Sequence, residues 1–261
     1  MSQDTVRWEQ DGHIGIITLN RPDELNALNY ETLKRLGELI DQVRLDPKEI
    51  RVVLVKAEGR AFCAGADLKE RRTLNEQQVR RNVSKIRDVF TALERLTQPT
   101  IALVNGFAFG GGFELALACD FRFALTDAKM GLTEVSLGII PGAGGTQRLS
   151  RLIGPSRAKE LILTARRITA ADAYALGIVN GLAQTVSELE EQALSLANEI
   201  LANAPLAVYQ AKAAIDRGAS VDLQTGLDVE TMAYEAIIPT KDRLEALEAF
   251  REKRKPVFRG E

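Results

Sequence analysis

Apolar positions along this chain follow two periods, and the glycines mark where one gives way to the other. From Thr5 to Asn20, VRWEQ, the turn pair Asp11-Gly12 and HIGIITLN predict a β-hairpin that Arg21-Pro22 ends. Leu33, Leu36, Ile40 and Val43 recur at helical spacing and predict a helix from about Asn29. RVVLV, Arg51 to Val55, is continuous enough for a buried strand, and KAEGRAFCAGADL, Lys56 to Leu68, reads as a loop of small residues. Val79, Val83, Ile86, Phe90 and Leu93 give a long amphipathic helix over Asn75 to Leu96 an inward stripe. FRFAL, Phe121 to Leu125, predicts another strand. Met130 to Gly154 reads mostly as loop, with a helix starting near Gly145-Thr146. Short helices follow over Ser156 to Thr164 and Ala170 to Leu176, then a last strand over Ile178 to Ala183. Beyond about Ser187 only helical patterns remain, over Ser187 to Asn203, Pro205 to Arg217, Asp222 to Ile237 and Lys241 to Arg254. The pattern predicts an α/β fold whose strand-bearing region covers 1–186 and whose all-helical region covers 187–261. The helical part has more apolar face than it can bury on itself, so it is expected to pack on the core or on other subunits.

One stretch concentrates chemistry. TIALVNGFAFGGGFELALACD, Thr100 to Asp120, runs from an apolar strand through a turn and three glycines into a helix. Glycines allow a ligand close to the backbone. The first amides of a helix have no partner within it and lie at the positive end of its dipole. Glu114 lies three positions after Gly111, on the same helical face. An active site and a tight helix-on-strand packing site both fit these residues. The glycine spacing is not that of a dinucleotide-binding turn, and no Walker lysine follows.

Composition narrows the chemistry. With 261 residues, 45% of them hydrophobic, the chain is long enough for a full globular core. A net charge of −2 gives no general attraction to nucleic acid or to an anionic membrane, and no apolar run approaches the ~20 residues of a membrane span. The first residues resemble neither a signal nor a transit peptide, and two cysteines, Cys63 and Cys119, suit a reducing compartment, so a cytoplasmic location is expected. The single histidine, His13, lies in the predicted hairpin, which argues against a Ser-His-Asp hydrolase and against a histidine metal site. No metal is expected, and proton transfer falls to carboxylates.

Three segments line up across the chain: AFCAGADLKE from Ala61, NGFAFGGGFELALACD from Asn105, and KMGLTEVSLGIIPGAGGTQRL from Lys129. In this order they resemble the crotonase family of enoyl-CoA hydratases and isomerases. The resemblance extends to the opening HIGIITLNRP and to the closing PTKDRLEALEAFREKRKPVFRGE. SKIRDVF, KMGLTE and PTKDRLEALEAF look most like the methylglutaconyl-CoA hydratases of leucine breakdown. The resemblance implies a spiral of ββα units followed by a helical C-terminal region that builds trimers, often paired into hexamers. It also implies an acyl-CoA thioester substrate in fatty acid metabolism, with coenzyme A entering as part of the substrate and no separate cofactor.

By the same resemblance, the backbone amides of Ala66 and Gly111 form an oxyanion hole. Glu134 is the acid that protonates C2, and Glu114 orients and deprotonates the water. Ala64 lies where a carbonyl meets the adenine, and Gly65, Asp67, Leu68, Lys69, Gly110 and Gly142 are expected along the substrate. Lys69, Arg71 and the Lys253 to Lys255 run are candidate cations for the phosphates, and surface charge is the simpler account of each. Glu24-Leu25 stands where many relatives carry a basic residue. Gly142 to Thr146 resembles a phosphate loop but in this family is a wall of the acyl pocket. Family isomerases usually keep one of the two glutamates, so the pair favours hydration over a double-bond isomerase or a decarboxylase. Arg71, Arg72 and Arg81 are candidates to meet a distal carboxylate of a methylglutaconyl group. An RNA-binding role is not expected, because Lys34 and Arg35 share their helix with Glu31 and Glu38 and form no basic stripe.

Overall fold

The computed structural model describes residues 4–261, which form two sheets and eleven α-helices. The hairpin strands β1 (Val6–Asp11) and β2 (Ile14–Leu19) pair antiparallel, and Gly12 supplies the positive φ, +54°, that the two-residue turn needs. β3 (Val52–Ala57), β5 (Thr100–Val104), β7 (Phe121–Leu125) and β10 (Gly181–Ala183) extend this sheet in parallel, giving the order β1-β2-β3-β5-β7-β10. β5 is buried throughout and β3 over its first four residues. That is why their sequences are continuous apolar runs. The second sheet has short strands, β4 (Ala61–Cys63), β6 (Phe107–Phe109), β8 (Lys129–Gly131) and β9 (Ile168–Thr169), in that order. The pairs β3/β4, β5/β6 and β7/β8 each give one strand to each sheet, which is the repeating unit of the expected spiral.

The structure corrects the boundaries at several points. β4 falls inside the expected loop Lys56 to Leu68, β6 follows the Asn105-Gly106 turn, and β8 opens the expected loop after Met130. Strands of three residues are too short to show a period, so the sequence leaves them unmarked. The last strand is Gly181–Ala183 alone. Ile178 and Val179 are buried instead in the turn before it. A short helix, α2 (Leu68–Arg71), also lies where loop was expected.

The long helices follow their patterns. α1 (Tyr30–Leu45) is capped by Asn29, whose side chain accepts from the Thr32 amide at 2.8 Å, and it buries Leu33, Leu36, Ile40 and Val43 as predicted. α3 (Glu76–Glu94) begins at a capping box in which Asn75 and Gln78 exchange two 2.9 Å bonds. Its apolar stripe divides: Phe90 and Leu93 enter the core, while Val79, Val83 and Ile86 line a cavity. α4 (Gly111–Leu117) is buried along its whole length. A side chain at Gly112 would run into the Cys63 carbonyl, so only glycine lets α4 sit this close to β4. The guanidinium of Arg122 donates to the carbonyls of Ala116 at 3.3 Å and Asp120 at 3.2 Å, satisfying acceptors at the end of α4.

α5 (Gly145–Ile153), α6 (Pro155–Leu163) and α7 (Ala170–Ala175) complete the strand-bearing region. Four helices follow: α8 (Val186–Leu201), α9 (Pro205–Gly218), α10 (Leu223–Ile237) and α11 (Lys241–Glu252). α8 buries Leu189, Ala193 and Ala197 against the larger sheet. Lys212 of α9 reaches Asp120 at 2.6 Å, and Asp120 also accepts from the Thr100 amide at 2.7 Å. α10 has no buried residue, and Leu223, Met232, Tyr234, Leu247 and Phe250 on α10 and α11 are exposed. Among the described residues, no helix is long and apolar enough to cross a membrane.

Candidate active site

Each structural repeat ends its strand pair in a turn, and these turns face one cavity. After β4 the chain passes through Gly65 at φ +97°. The Leu28 amide donates to the Gly65 carbonyl at 2.8 Å, and the Asp67 amide donates to the Leu28 carbonyl at 3.0 Å. This parallel bridge holds the chain on both sides of Ala66, so the N–H of Ala66 points the opposite way. After β6, Gly110 takes φ +51° and its amide donates to the Gly131 carbonyl at 2.9 Å. Gly111 then opens α4, where its N–H has no acceptor within the helix. Among the described residues, neither the Ala66 nor the Gly111 amide donates to anything. The two are close: a Cβ on Gly111 would lie 3.7 Å from the Ala66 nitrogen, and one on Gly65 would lie 3.3 Å from the Gly111 nitrogen.

Two carboxylates reach the same cavity in different surroundings. Glu114, in the first turn of α4, accepts at Oε1 from the amides of Ala143 and Gly145, both at 2.8 Å. Its Oε2 accepts nothing among the described residues. Burial pushes its carboxyl above the usual range, while the two amides and the charge of Arg148 pull it back. Glu134 begins the 3₁₀ turn Glu134–Leu137 that follows β8. Burial pushes its carboxyl up to about 7; the charge of Glu114 adds to the rise, while Glu134's own amide and Arg71 oppose it. Its Oε2 is buried without a partner. A protonated carboxyl tolerates that position far better than a carboxylate does. The pair is therefore unlike in its surroundings: at Glu114 two amides and Arg148 oppose the effect of burial, while Glu134 has a buried oxygen without a partner and is raised to about 7.

The cavity encloses about 950 Å³ of empty space, its open mouth included. Ala64, Gly65, Asp67, Leu68, Gly110 and Gly142, which the resemblance places along the substrate, line it. Lys69 does not; its amide donates to Asp67 Oδ1 at 3.0 Å, and its side chain is exposed. Asp67 has structural duties beside its place in the wall, capping α2 and pairing with Arg21 at 3.0 Å. Of the candidate arginines, Arg71 lines the cavity, Arg72 is exposed, and Arg81 lies over the Tyr30 ring at 4.1 Å. Lys253 ends α11 and Arg254 pairs with Glu252 at 2.7 Å, outside the cavity lining. Leu74, Val79, Val83, Ile86, Ile139 and Ile140 make much of its lining apolar.

The sequence reading missed the partners of Glu114. Ala143 and Gly145 lie in the glycine segment taken as a pocket wall. Gly142 and Ala143 do line the cavity, but the segment also turns two amides onto a carboxylate. The signal was present as GAGG before a helix, a pattern that gathers amides at one point. Among the described residues no group of three His, Cys, Asp or Glu side chains is placed to hold a metal ion.

Two free amides, two carboxyl groups in unlike surroundings and a largely apolar wall share one cavity, an arrangement suited to acid–base chemistry. The family described as enoyl-CoA hydratase/isomerase matches residues 9–261, and the chain belongs to that family of enzymes. An enoyl-CoA hydratase from Bacillus anthracis, solved at 1.8 Å, superposes with a TM-score of 0.95 at 51% identity, covering 98% of this chain and 100% of that one. The protein therefore has the crotonase fold. The human mitochondrial methylglutaconyl-CoA hydratase is 47% identical over 262 residues, covering 98% of this chain and 77% of the relative. The short-chain-enoyl-CoA hydratase of Clostridium acetobutylicum is 44% identical over 255 residues, covering 98% and 97%.

Proposed function

We propose that this protein adds water across the 2,3 double bond of a 2-trans-enoyl-CoA to give the 3-hydroxyacyl-CoA. The observation that carries this reading is the common cavity of Ala66, Gly111, Glu114 and Glu134. The thioester oxygen accepts from the Ala66 and Gly111 amides. Water held at Glu114 Oε2 attacks C3, and the π electrons of the double bond move onto the thioester oxygen as an enolate. Glu114 takes a proton from the water while Glu134 delivers its own to C2. Proton exchange between the two acids, which already feel each other's charge, restores the starting state. Water supplies all the atoms added. The Ala64 carbonyl faces the adenine, and Gly142 borders the acyl chain.

The direct test is loss of the conjugated thioester absorbance on adding crotonyl-CoA. An unchanged signal with both straight and branched enoyl-CoAs would sink the reading. An isomerase or decarboxylase on this fold would leave the product without the added mass of water. The exposed apolar residues of α10 and α11 support a trimer or a dimer of trimers. Light scattering on the purified protein reads this directly, and a monomer would exclude both.

A second reading has its own observation. Arg71 is the one cation lining the cavity among the described residues, and no carboxylate pairs with it there. A methylglutaconyl group carries a second carboxylate at its far end, which Arg71 would meet. Arg71→Met should then raise KM for methylglutaconyl-CoA about 10–100-fold, the scale of a charge-assisted hydrogen bond, and leave crotonyl-CoA unaffected. An equal loss for both substrates would assign Arg71 to the coenzyme A portion instead.

A further inference from the structure

The segment that holds Glu114 is itself held from behind. Arg148, in α5, has a side chain only 12% exposed. Its Nε donates to Glu94 Oε1 at 2.8 Å and its Nη2 to Glu94 Oε2 at 2.7 Å, a bidentate pair that ties α5 to the end of α3. The remaining nitrogen, Nη1, donates to the Ala143 carbonyl at 2.6 Å. Its backbone amide donates to the Gly144 carbonyl at 2.9 Å, across a residue at φ +103°. Ala143 and Gly145, on either side of that residue, supply the two amides that grip Glu114 Oε1. Arg148 does not line the cavity. It reaches the chemistry only through this segment.

We propose that Arg148 and Glu94 are a positioning pair for the catalytic base: the fork orients segment 143–145 so that its amides fix one oxygen of Glu114 and leave the other for water. This rests on the hydratase reading above. The geometry needs arginine in particular, because two of its nitrogens engage one carboxylate while a third is free for the carbonyl. Lysine at the same place offers a single charged point. Freed from the fork, the segment keeps the bonds that the Gln147 and Arg148 amides donate to the Gly144 carbonyl, but nothing among the described residues then holds the Ala143 carbonyl, and the two glycines, Gly144 and Gly145, leave the backbone beside it permissive. A base displaced by even 1 Å loses a large share of its effect.

The charges around Glu114 fix the sign of the test. Arg148 approaches from α5 and Glu134 from the 3₁₀ turn; Glu94 lies beyond Arg148, and Arg71 beyond Glu134. The neighbouring strands, AFC and FAF, bring no charged side chain. The positive charge of Arg148 favours ionised Glu114, so removing it moves the acidic limb of the pH profile to higher pH. Removing the charge of Glu94 leaves Arg148 uncompensated and moves that limb to lower pH.

The experiment follows crotonyl-CoA hydration by the whole protein in wild type, Arg148→Gln, Arg148→Lys and Glu94→Gln. Arg148→Gln should lower kcat about 10–100-fold with KM nearly unchanged, and shift the acidic limb of kcat/KM upward. Arg148→Lys should lower kcat about 10-fold and leave the limb in place. Glu94→Gln should lower kcat and shift the limb downward. Opposite shifts are what general loosening of the fold cannot produce. Wild-type kcat with an unmoved limb in Arg148→Gln, or shifts of the same sign in the two neutral variants, overturns the proposal. If Arg148→Gln does not fold, Glu94→Gln decides alone: a lowered kcat with a downward shift supports the pair, and an unmoved limb refutes it. An inactive wild type would instead defeat the hydratase reading.

Discussion

Replacing Glu134 with glutamine should cut the hydration of crotonyl-CoA at least a hundredfold, about the lower edge of what a positioned acid or base contributes. Glutamine keeps the shape of the side chain and can donate a hydrogen bond, but it cannot release a proton to C2. Its fold should be kept, because the amide fills the space around a buried oxygen that has no partner now. The wild-type pH profile carries a second mark of the same residue. A carboxyl pushed up to about 7 is protonated below that pH and ionised above it. A proton donor with this behaviour makes hydration fall as pH rises through about 7, and Glu134→Gln should abolish that alkaline limb along with the rate. Glu114→Gln should show a comparable loss from the other side of the reaction. The glutamine carbonyl can still accept from the Ala143 and Gly145 amides, so the loop stays in place while the base is gone. Near-normal activity in either variant would remove that residue from the mechanism.

Gly111→Pro should lower kcat about 10²–10³-fold or more while the protein still melts cooperatively. Proline has no N–H, so the substitution deletes one of the two proposed oxyanion donors, and its ring occupies the space toward which that donor points. The first position of a helix is where proline is best tolerated. Gly111 is the first residue of α4, and its amide has no partner to lose. Gly111→Ala separates donor loss from crowding. It keeps the N–H, and its Cβ would meet Ile86 Cδ1 at 3.1 Å, the far end of a side chain that can give. The alanine variant should therefore retain much more activity than the proline variant. Equal losses in the two would mean that crowding, and not the missing donor, is responsible.

The two residues that act at a distance illustrate how much a sequence conceals. Arg148 and Glu94 are 54 positions apart, and neither carries a local pattern that sets it off from a surface charge. Only the fold, which brings the end of α3 within reach of the start of α5, makes them a pair. Lys69 shows the reverse: beside the AGAD turn it stood as a candidate for the phosphates, with surface charge the simpler account, and past the Asp67 cap its side chain is exposed. Arg71, two positions on, lines the cavity because the helical turn carries it to the other side.

What the sequence determined by itself was everything with a local cause. Helical periods placed α1 and α3, continuous apolar runs placed β3 and β5, and capping residues such as Asn29 and Asn75 set the helix starts. The glycines before α4 marked the Gly111 amide as free, while the Ala66 amide came only through the order of three motifs, which pointed to the family. The tertiary structure decided what depends on distance through space. It formed the three-residue strands, whose only stabilisation is their neighbours, and it gave Glu114 two amides and Glu134 none at Oε2. That difference in surroundings, which no residue type encodes, is what gives two identical side chains unlike tendencies to hold a proton: burial raises both, but only Glu114 has two amides and an arginine opposing it.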